Sequence, residues 1–400
     1  MPQRAPSPKT SKKANASVPV HRAAVVRFQQ DDAHGIREAT ALAAAGFDVN
    51  LLMLRSDNEI VNQIDPRVNV VLAPISKRRG SALRYAFEFV AWFSFCSFWL
   101  AKETRRQKFS YVQVDSLPDH QVFCALVPKI FGAKVGLFLK EPTRELCLTK
   151  TGSRLLAAIA GWVSLRSIAF ADVAFCVTEP HRQSYIKRGV DASDLQVVLN
   201  STPPFAGMSR SRTADDGKFV VVCHGTIEQR YGHKTIVEAA SIAVKELPGL
   251  SVHLPGKGTY TDTVAEMIGQ HGLEDVVSLD GWVTEDELSQ LLANADVGVV
   301  AQLANPYSHQ VHTLKMYDYM SAGVAIVASR LRATETLFPD EITYFESGDA
   351  AALANAWVDL HDDPDRRLRQ IVACRERLAE VGSDVQMKHM VEAISATIAA

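Results

Sequence analysis

The chain has 400 residues, of which 47% are hydrophobic and 22% charged, with a formal net charge of −2. That length is too great for one ordinary core and calls for two or three domains, while the near-neutral balance excludes a global field drawing the protein to nucleic acid. The six cysteines, Cys96, Cys124, Cys147, Cys176, Cys223 and Cys374, form no C-x-x-C pair. This speaks against a zinc knuckle or dithiol motif and fits a reducing, cytoplasmic setting.

Residues 1–20 are rich in Ser, Pro, Lys and Ala and read as a disordered basic tail without the apolar run of a secretory signal. From Arg22 the pattern alternates. Strands are expected at Ala23–Phe28, Val49–Leu54, Val68–Leu72, Tyr111–Val114, Val135–Leu139, Val173–Val177 and Val197–Leu199, with helices such as Gly35–Ala45 and His120–Phe131 between them. Residues 201–217 lose the periodicity and gain Pro, Ser and Gly, the mark of a linker. Strands resume at Lys218–Cys223, Leu250–Leu254, Val276–Leu279, Val297–Ala301, Val324–Ala328 and Ile342–Phe345. The intervening helices are Lys234–Glu246, Tyr260–His271, Glu285–Ala293 and His312–Ser321. The reading is α/β: a Rossmann-like domain over 21–200, a second over 218–385, and a C-terminal helix at 386–400 for which a return to the first domain is one reading. Two such sheets facing a central cleft would bring two substrates together at their strand ends.

The segment Ala82–Ala101 is unusually aromatic and is flanked by Lys77, Arg78 and Arg79 before it and by Lys102, Arg105, Arg106 and Lys108 after it. Arg84 and Glu88 leave too short an apolar run to span a bilayer. It is compatible with a helix buried between domain elements or with an interfacial helix on anionic lipid.

Two clusters carry chemistry. After strand Lys218–Cys223, Gly225, Thr226 and Gly232 bracket Arg230, whose planar fork suits a diphosphate. Farther on, Thr313 and Lys315 are expected in the first turn of a helix, with Asp318 on nearly the same face. Lys315 would meet phosphate, and Asp318 would accept hydrogen bonds from ribose hydroxyls. His309 and His312 lie three apart, with no accompanying metal motif.

In this order the motifs resemble the retaining GT-B glycosyltransferases of family 4, its capsule and exopolysaccharide members especially. Lys315-Met-Tyr-Asp318-Tyr-Met-Ser-Ala-Gly323 resembles their K-x-x-E-Y-M-A-x-G element. Gly256-Lys-Gly258, Gly281-Trp282-Val283 and Ala295-Asp296-Val-Gly298 resemble the G-x-G, G-F-V and A-D-V-G elements. In the first half, Arg37-Glu38-Ala39, Leu117-Pro118-Asp119 and Phe170-Ala171-Asp172 match the R-E-A, L-P-D and F-A-D elements. The chain departs from the pattern at Gln310 and Asp318, where the family carries two glutamates, and at Lys140 and Glu141, where it carries His and Asp.

The resemblance implies transfer of a hexosyl group, with retention, from a UDP- or GDP-sugar to a saccharide or lipid-linked saccharide in polysaccharide or glycoconjugate biosynthesis, without a metal or other cofactor. Arg230, Lys315 and Glu141 take the catalytic roles. Gly225, Thr226, Lys257, Val283, His309, Gln310, Thr313, Leu314 and Asp318 bind the donor, and Arg37, Asp119 and Lys140 line the acceptor side. The expected location is cytoplasmic, at the inner face of the cell membrane if Ala82–Ala101 is interfacial. Two rivals stand beside this reading. A degenerate GT-B module would bind a partner or sugar nucleotide without turnover. An NAD-dependent oxidoreductase would need a G-x-G-x-x-G that the first loop, with Gly35 alone, lacks.

Overall fold

The computed structural model describes residues 21–29, 33–55, 64–76, 82–204 and 217–400. The N-terminal tail, most of the linker and the basic run 77–79 lie outside them. The first sheet contains β1 (His21–Arg27), β2 (Phe47–Met53), β3 (Val68–Leu72), β4 (Tyr111–Asp115), β5 (Lys134–Leu139), β6 (Val173–Cys176) and β7 (Leu195–Val197). Their order is β3-β2-β1-β4-β5-β6-β7, every neighbour parallel. The second contains β8 (Phe219–Val222), β9 (Leu250–Pro255), β10 (Val277–Gly281), β11 (Val297–Val300), β12 (Ala325–Ser329) and β13 (Thr343–Phe345), ordered β10-β9-β8-β11-β12-β13 and again all parallel.

A parallel sheet covered on both faces needs apolar side chains at consecutive positions. In β1, Ala24 and Val26 enter one core cluster and Ala23 and Val25 the opposite one. In β8, Phe219 and Val221 part from Val220 and Val222 in the same way. Strand order reverses between β1 and β4 and between β8 and β11, so each lobe has a crevice at the carboxyl ends of those strands.

Three local expectations shift. The helix expected over His120–Phe131 divides into a 3₁₀ segment, Asp119–Ala125, and a short helix, Leu126–Ile130. Pro128 has no N–H to donate four residues back, so α-type bonding cannot run through it. The helix expected from His312 begins at Lys315, so Thr313 lies in the turn before the helix. Strand β7 ends at Val197, not Leu199.

The aromatic segment forms the helix Ala82–Arg106. Phe89, Trp92, Cys96 and Leu100, at helical spacing, are buried against the first sheet. Trp92 is fully buried, while Phe87 and Phe98 on other faces are 74% and 73% exposed. Among the described residues no helix is long and apolar enough to cross a membrane.

The final helix, Ser383–Ala399, places Met387, Met390, Ala393 and Ile394 in the core shared with Ala23, Val25, Ala39 and Leu42. Gln386 Oε1 accepts from the Leu199 N–H at 2.9 Å. The chain therefore passes from lobe to lobe twice.

Candidate active site

A cavity of about 400 Å³ opens between the lobes, lined by the ends of β5 and β6 on one side and by the loops after β8 and β11 on the other. The β8 loop is held by backbone. The Gly225 N–H donates to Pro255 O at 2.8 Å, and a Cβ on Gly256 (φ +148°) would lie 1.8 Å from the Gly225 oxygen. Gly232 (φ +71°) caps the helix His233–Ala243, and its Cβ would lie 1.9 Å from Ala301 O. Any side chain at either position would push the two loops apart.

Tyr231 organises the cations. Lys315 Nζ lies 4.6 Å from its ring centroid, Arg230 Cζ lies 4.8 Å from the same centroid, and Arg230 Nη2 donates to its hydroxyl at 3.2 Å. The ring attracts both charges. Lys315 is only 9% exposed. Among the described residues neither cation has a carboxylate at ion-pair distance, and Arg230 Nε is buried without a partner. Buried charge left uncompensated is costly and marks a place that a ligand of opposite sign would stabilise.

Asp318 stands one helical turn beyond Lys315. Its Oδ1 accepts from Thr202 Oγ1 at 3.0 Å, and its Oδ2 is 3.5 Å from His224 Nε2. Burial pushes its carboxyl up to about 6, against Thr202 and Lys315, which pull it down. Burial, aided by Lys315, drives His224 down to about 3, so its imidazole is neutral near pH 7.

Across the cavity, Glu141 Oε2 accepts from Tyr307 Oη at 2.6 Å, a bond between lobes. Burial raises the Glu141 carboxyl, with Tyr307 and then Arg230 opposing. Lys140 also faces the cavity, but its Nζ pairs with Asp115 at 2.9 Å. Asp115 contacts Arg27 as well, Arg27 reaches Glu38 at 3.6 Å, and Glu38 meets His34 at 2.7 Å. The first lobe thus presents a charge network balanced within itself.

Of the residues singled out by sequence, the cavity gathers Lys140, Glu141, Gly225, Thr226, His312, Thr313, Leu314, Lys315 and Asp318, with Arg230 beside it. Six others lie elsewhere. Asp119 is 1% exposed and accepts from Thr143 at 2.9 Å and from Ser164, joining two helices inside the first lobe. Arg37 donates to Ser201 O at 3.1 Å and braces the start of the linker. Lys257 is exposed: its neighbours Gly256 and Gly258 pack on the backbone of Gly225 and Ile227, so that element supports the β8 loop from behind. Val283 lies in a separate hollow with His253 and Asp280. His309 Nδ1 accepts from the Arg332 N–H at 3.2 Å, and Gln310 lines a second cavity. His312 meets Tyr317 Oη at 2.9 Å; among the described residues no three His, Cys, Asp or Glu gather as a ligand set.

Residues 218–363 match the family model described as Glycosyl transferases group 1. The second lobe is a group 1 glycosyltransferase domain. The two lobes together have the GT-B fold. The Anabaena protein HepE, solved in complex with UDP, superposes with a TM-score of 0.71 at 12% identity, covering 94% of this chain and 100% of that one. Sucrose-phosphate synthase of Thermosynechococcus elongatus gives 0.73 at 17% identity, over 95% and 99%. In sequence, the chain is 29% identical over 198 residues to the lipopolysaccharide core biosynthesis glycosyltransferase LpsD of Rhizobium meliloti, spanning 48% of this chain and about half (52%) of that relative. It is 26% identical over 270 residues to a GDP-mannose-dependent phosphatidylinositol monomannoside mannosyltransferase of Mycobacterium tuberculosis, over 62% and 69%.

Sequence reasoning passed over five residues that line the group 1 domain's side of the cavity: His224, Tyr231, Gln302, Tyr307 and Val311. His224 directly follows β8, and Tyr231 lies between Arg230 and Gly232; a reading of the whole loop would have included both. Tyr307 had no such signal, since its partner Glu141 is 166 residues away.

Proposed function

We propose that the chain transfers a hexosyl unit from a UDP- or GDP-sugar to a saccharide or lipid-linked saccharide, with retention, in polysaccharide or glycoconjugate assembly. The observation carrying this reading is the pair of cations, Arg230 and Lys315, within 5 Å of one tyrosine ring at a strand-order reversal. When the bond from the anomeric carbon to the diphosphate oxygen breaks, negative charge gathers on that oxygen. Fixed cations stabilise it more than they stabilise the intact donor. The acceptor oxygen forms its bond on the face the diphosphate leaves, and its proton passes to the departing phosphate. Asp318 orients the ribose, Thr313 and the Gly225–Thr226 backbone hold the phosphates, and Glu141, fixed by Tyr307, positions the acceptor hydroxyl. The clamp is made of side chains, so the proposed reaction uses no metal.

Thermal unfolding with UDP, GDP and their sugars tests the donor side. A matching nucleotide raises the melting temperature of wild type and not of Lys315→Met; no rise with any of them overturns the reading. Transfer or hydrolysis of a labelled nucleotide sugar by the pure protein separates an enzyme from a module that only binds.

Membrane contact is part of the same proposal. Phe87, Val90 and Phe98 are exposed on Ala82–Arg106, with Lys102, Arg105 and Arg106 exposed toward its end. Aromatic and basic groups so arranged suit an anionic lipid surface. Co-sedimentation with anionic vesicles should fall when Phe87 and Phe98 become serine; unchanged sedimentation counts against the contact.

A further inference from the structure

A second cavity, about 620 Å³, also lies between the lobes, lined by Arg144, Lys187 and Arg188 from the first and Arg332 and Glu335 from the second. It adjoins the donor cavity. Val177 lines one and Glu179 the other, and between them Thr178 Oγ1 donates to Gln310 O at 2.6 Å.

Its charges are unevenly matched. Glu145 is taken by Arg144 at 2.9 Å, Glu179 by Arg182 at 3.3 Å and Glu335 by Arg330 at 2.7 Å. Lys187, Arg188 and Arg332 have no carboxylate at ion-pair distance among the described residues. Two of the cavity's arginines pack together over the buried Gly161, which is not itself in the lining: a Cβ there would lie 2.4 Å from Arg188 Nη2 and 2.9 Å from Arg144 Cδ. Several cations converging on one hollow, with the nearby carboxylates already engaged, favour a multiply charged oxyanion.

We propose that this cavity binds a phosphate group carried by the acceptor, with Arg188, Lys187 and Arg332 as its ligands. The inference rests on the glycosyl-transfer reading and specifies its acceptor as phosphorylated. A cleft that places the donor diphosphate on one side of the Thr178–Gln310 seam and the acceptor phosphate on the other keeps two like charges apart. It also leaves the acceptor hydroxyl to reach the anomeric carbon between them. The phosphate belongs either to a lipid headgroup or to a soluble sugar phosphate.

The test uses the full chain and inorganic phosphate as probe, titrated calorimetrically at low ionic strength. Wild type is compared with Arg188→Gln and with Lys187→Gln/Arg332→Gln. Lys187 and Arg332 are exposed and their side chains hold no ion pair among the described residues, so the double variant is spared a folding defect. Phosphate affinity should fall about tenfold or more in both variants, the loss expected for a charge-assisted hydrogen bond. UDP and GDP should bind them as they bind wild type. Nucleotide binding is read separately, so its failure counts against the glycosyl-transfer reading and not against the anion site. Vesicles of phosphatidylcholine with phosphatidylglycerol distinguish the sources: binding lost together with phosphate binding assigns a lipid headgroup, and binding retained assigns a soluble phosphate. Equal phosphate affinity in wild type and both variants, or none in wild type, overturns the proposal.

Discussion

The two edges that face each other across the donor cavity are built on opposite electrostatic plans. On the second lobe, Lys315 and Arg230 share an aromatic ring, and among the described residues no carboxylate lies at ion-pair distance from either. On the first, Lys140 is met by Asp115, Asp115 by Arg27, and Arg27 by Glu38. Buried charge is tolerated when paired and is costly when not. The first edge is therefore finished without a ligand, and the second is completed by one. An anionic donor should seat on the group 1 domain, while the first lobe supplies shape and hydrogen bonds.

Removing the unanswered cation should have the largest effect. Lys315→Met is expected to lower nucleotide-sugar turnover roughly a hundred- to a thousand-fold, as loss of a group aimed at developing charge does. It should leave the apo protein as stable as wild type or more so, which steady-state kinetics and thermal unfolding can establish together. Removing the answered cation should do the reverse. Lys140→Met leaves Asp115 one partner short and should cost about 2 kcal/mol of stability in chemical denaturation, with donor affinity unchanged. A donor-affinity loss in that variant as large as in Lys315→Met would dissolve the contrast.

Smaller effects sharpen it. Tyr307→Phe removes the bond that joins the edges at Glu141. It should lower turnover about fivefold, near the worth of one hydrogen bond, with nucleotide affinity preserved in calorimetry. The mildest effect is in pH. Asp318 must be ionised to accept from ribose, and its carboxyl titrates at about 6, so nucleotide affinity should weaken a few-fold as pH falls through that value. Asp318→Asn should flatten the profile. The folded group holds its proton more tightly than the ordinary value of 3.8. Its contribution to stability is thus fully present below about 3.8 and lost as pH rises through about 6.

The contrast also explains what could be read in advance. The alternating strands were legible because both faces of each sheet are covered, which leaves unbroken apolar runs such as Phe219–Val222 and Val297–Val300. Lys315 and Asp318 were legible because a helix fixes their relation locally. Asp119 was misleading. Its place in a loop after β4 looks like the cleft, yet Ser164, 45 residues away, draws it into the interior. Lys257 has a related history: it is exposed, and the glycines beside it pack on the backbone of Gly225 and Ile227. Gln310 lies near Thr313 and Lys315 in sequence, but the 3₁₀ turn Ser308–Gln310 sets it on the seam with Thr178, lining the second cavity. Such errors arise where a side chain's surroundings come from distant segments, which local pattern cannot specify.

A body held to another at one point can swivel in any direction; held at two, it can only swing. The lobes are joined both by the stretch beginning near Ser201 and by the turn into Ser383–Ala399, whose methionines are sunk in the first lobe. We predict door-like opening about the line through those two joints. Cutting the chain before Ser383 should widen the range of shapes seen by small-angle scattering, and an unchanged range would disprove the hinge.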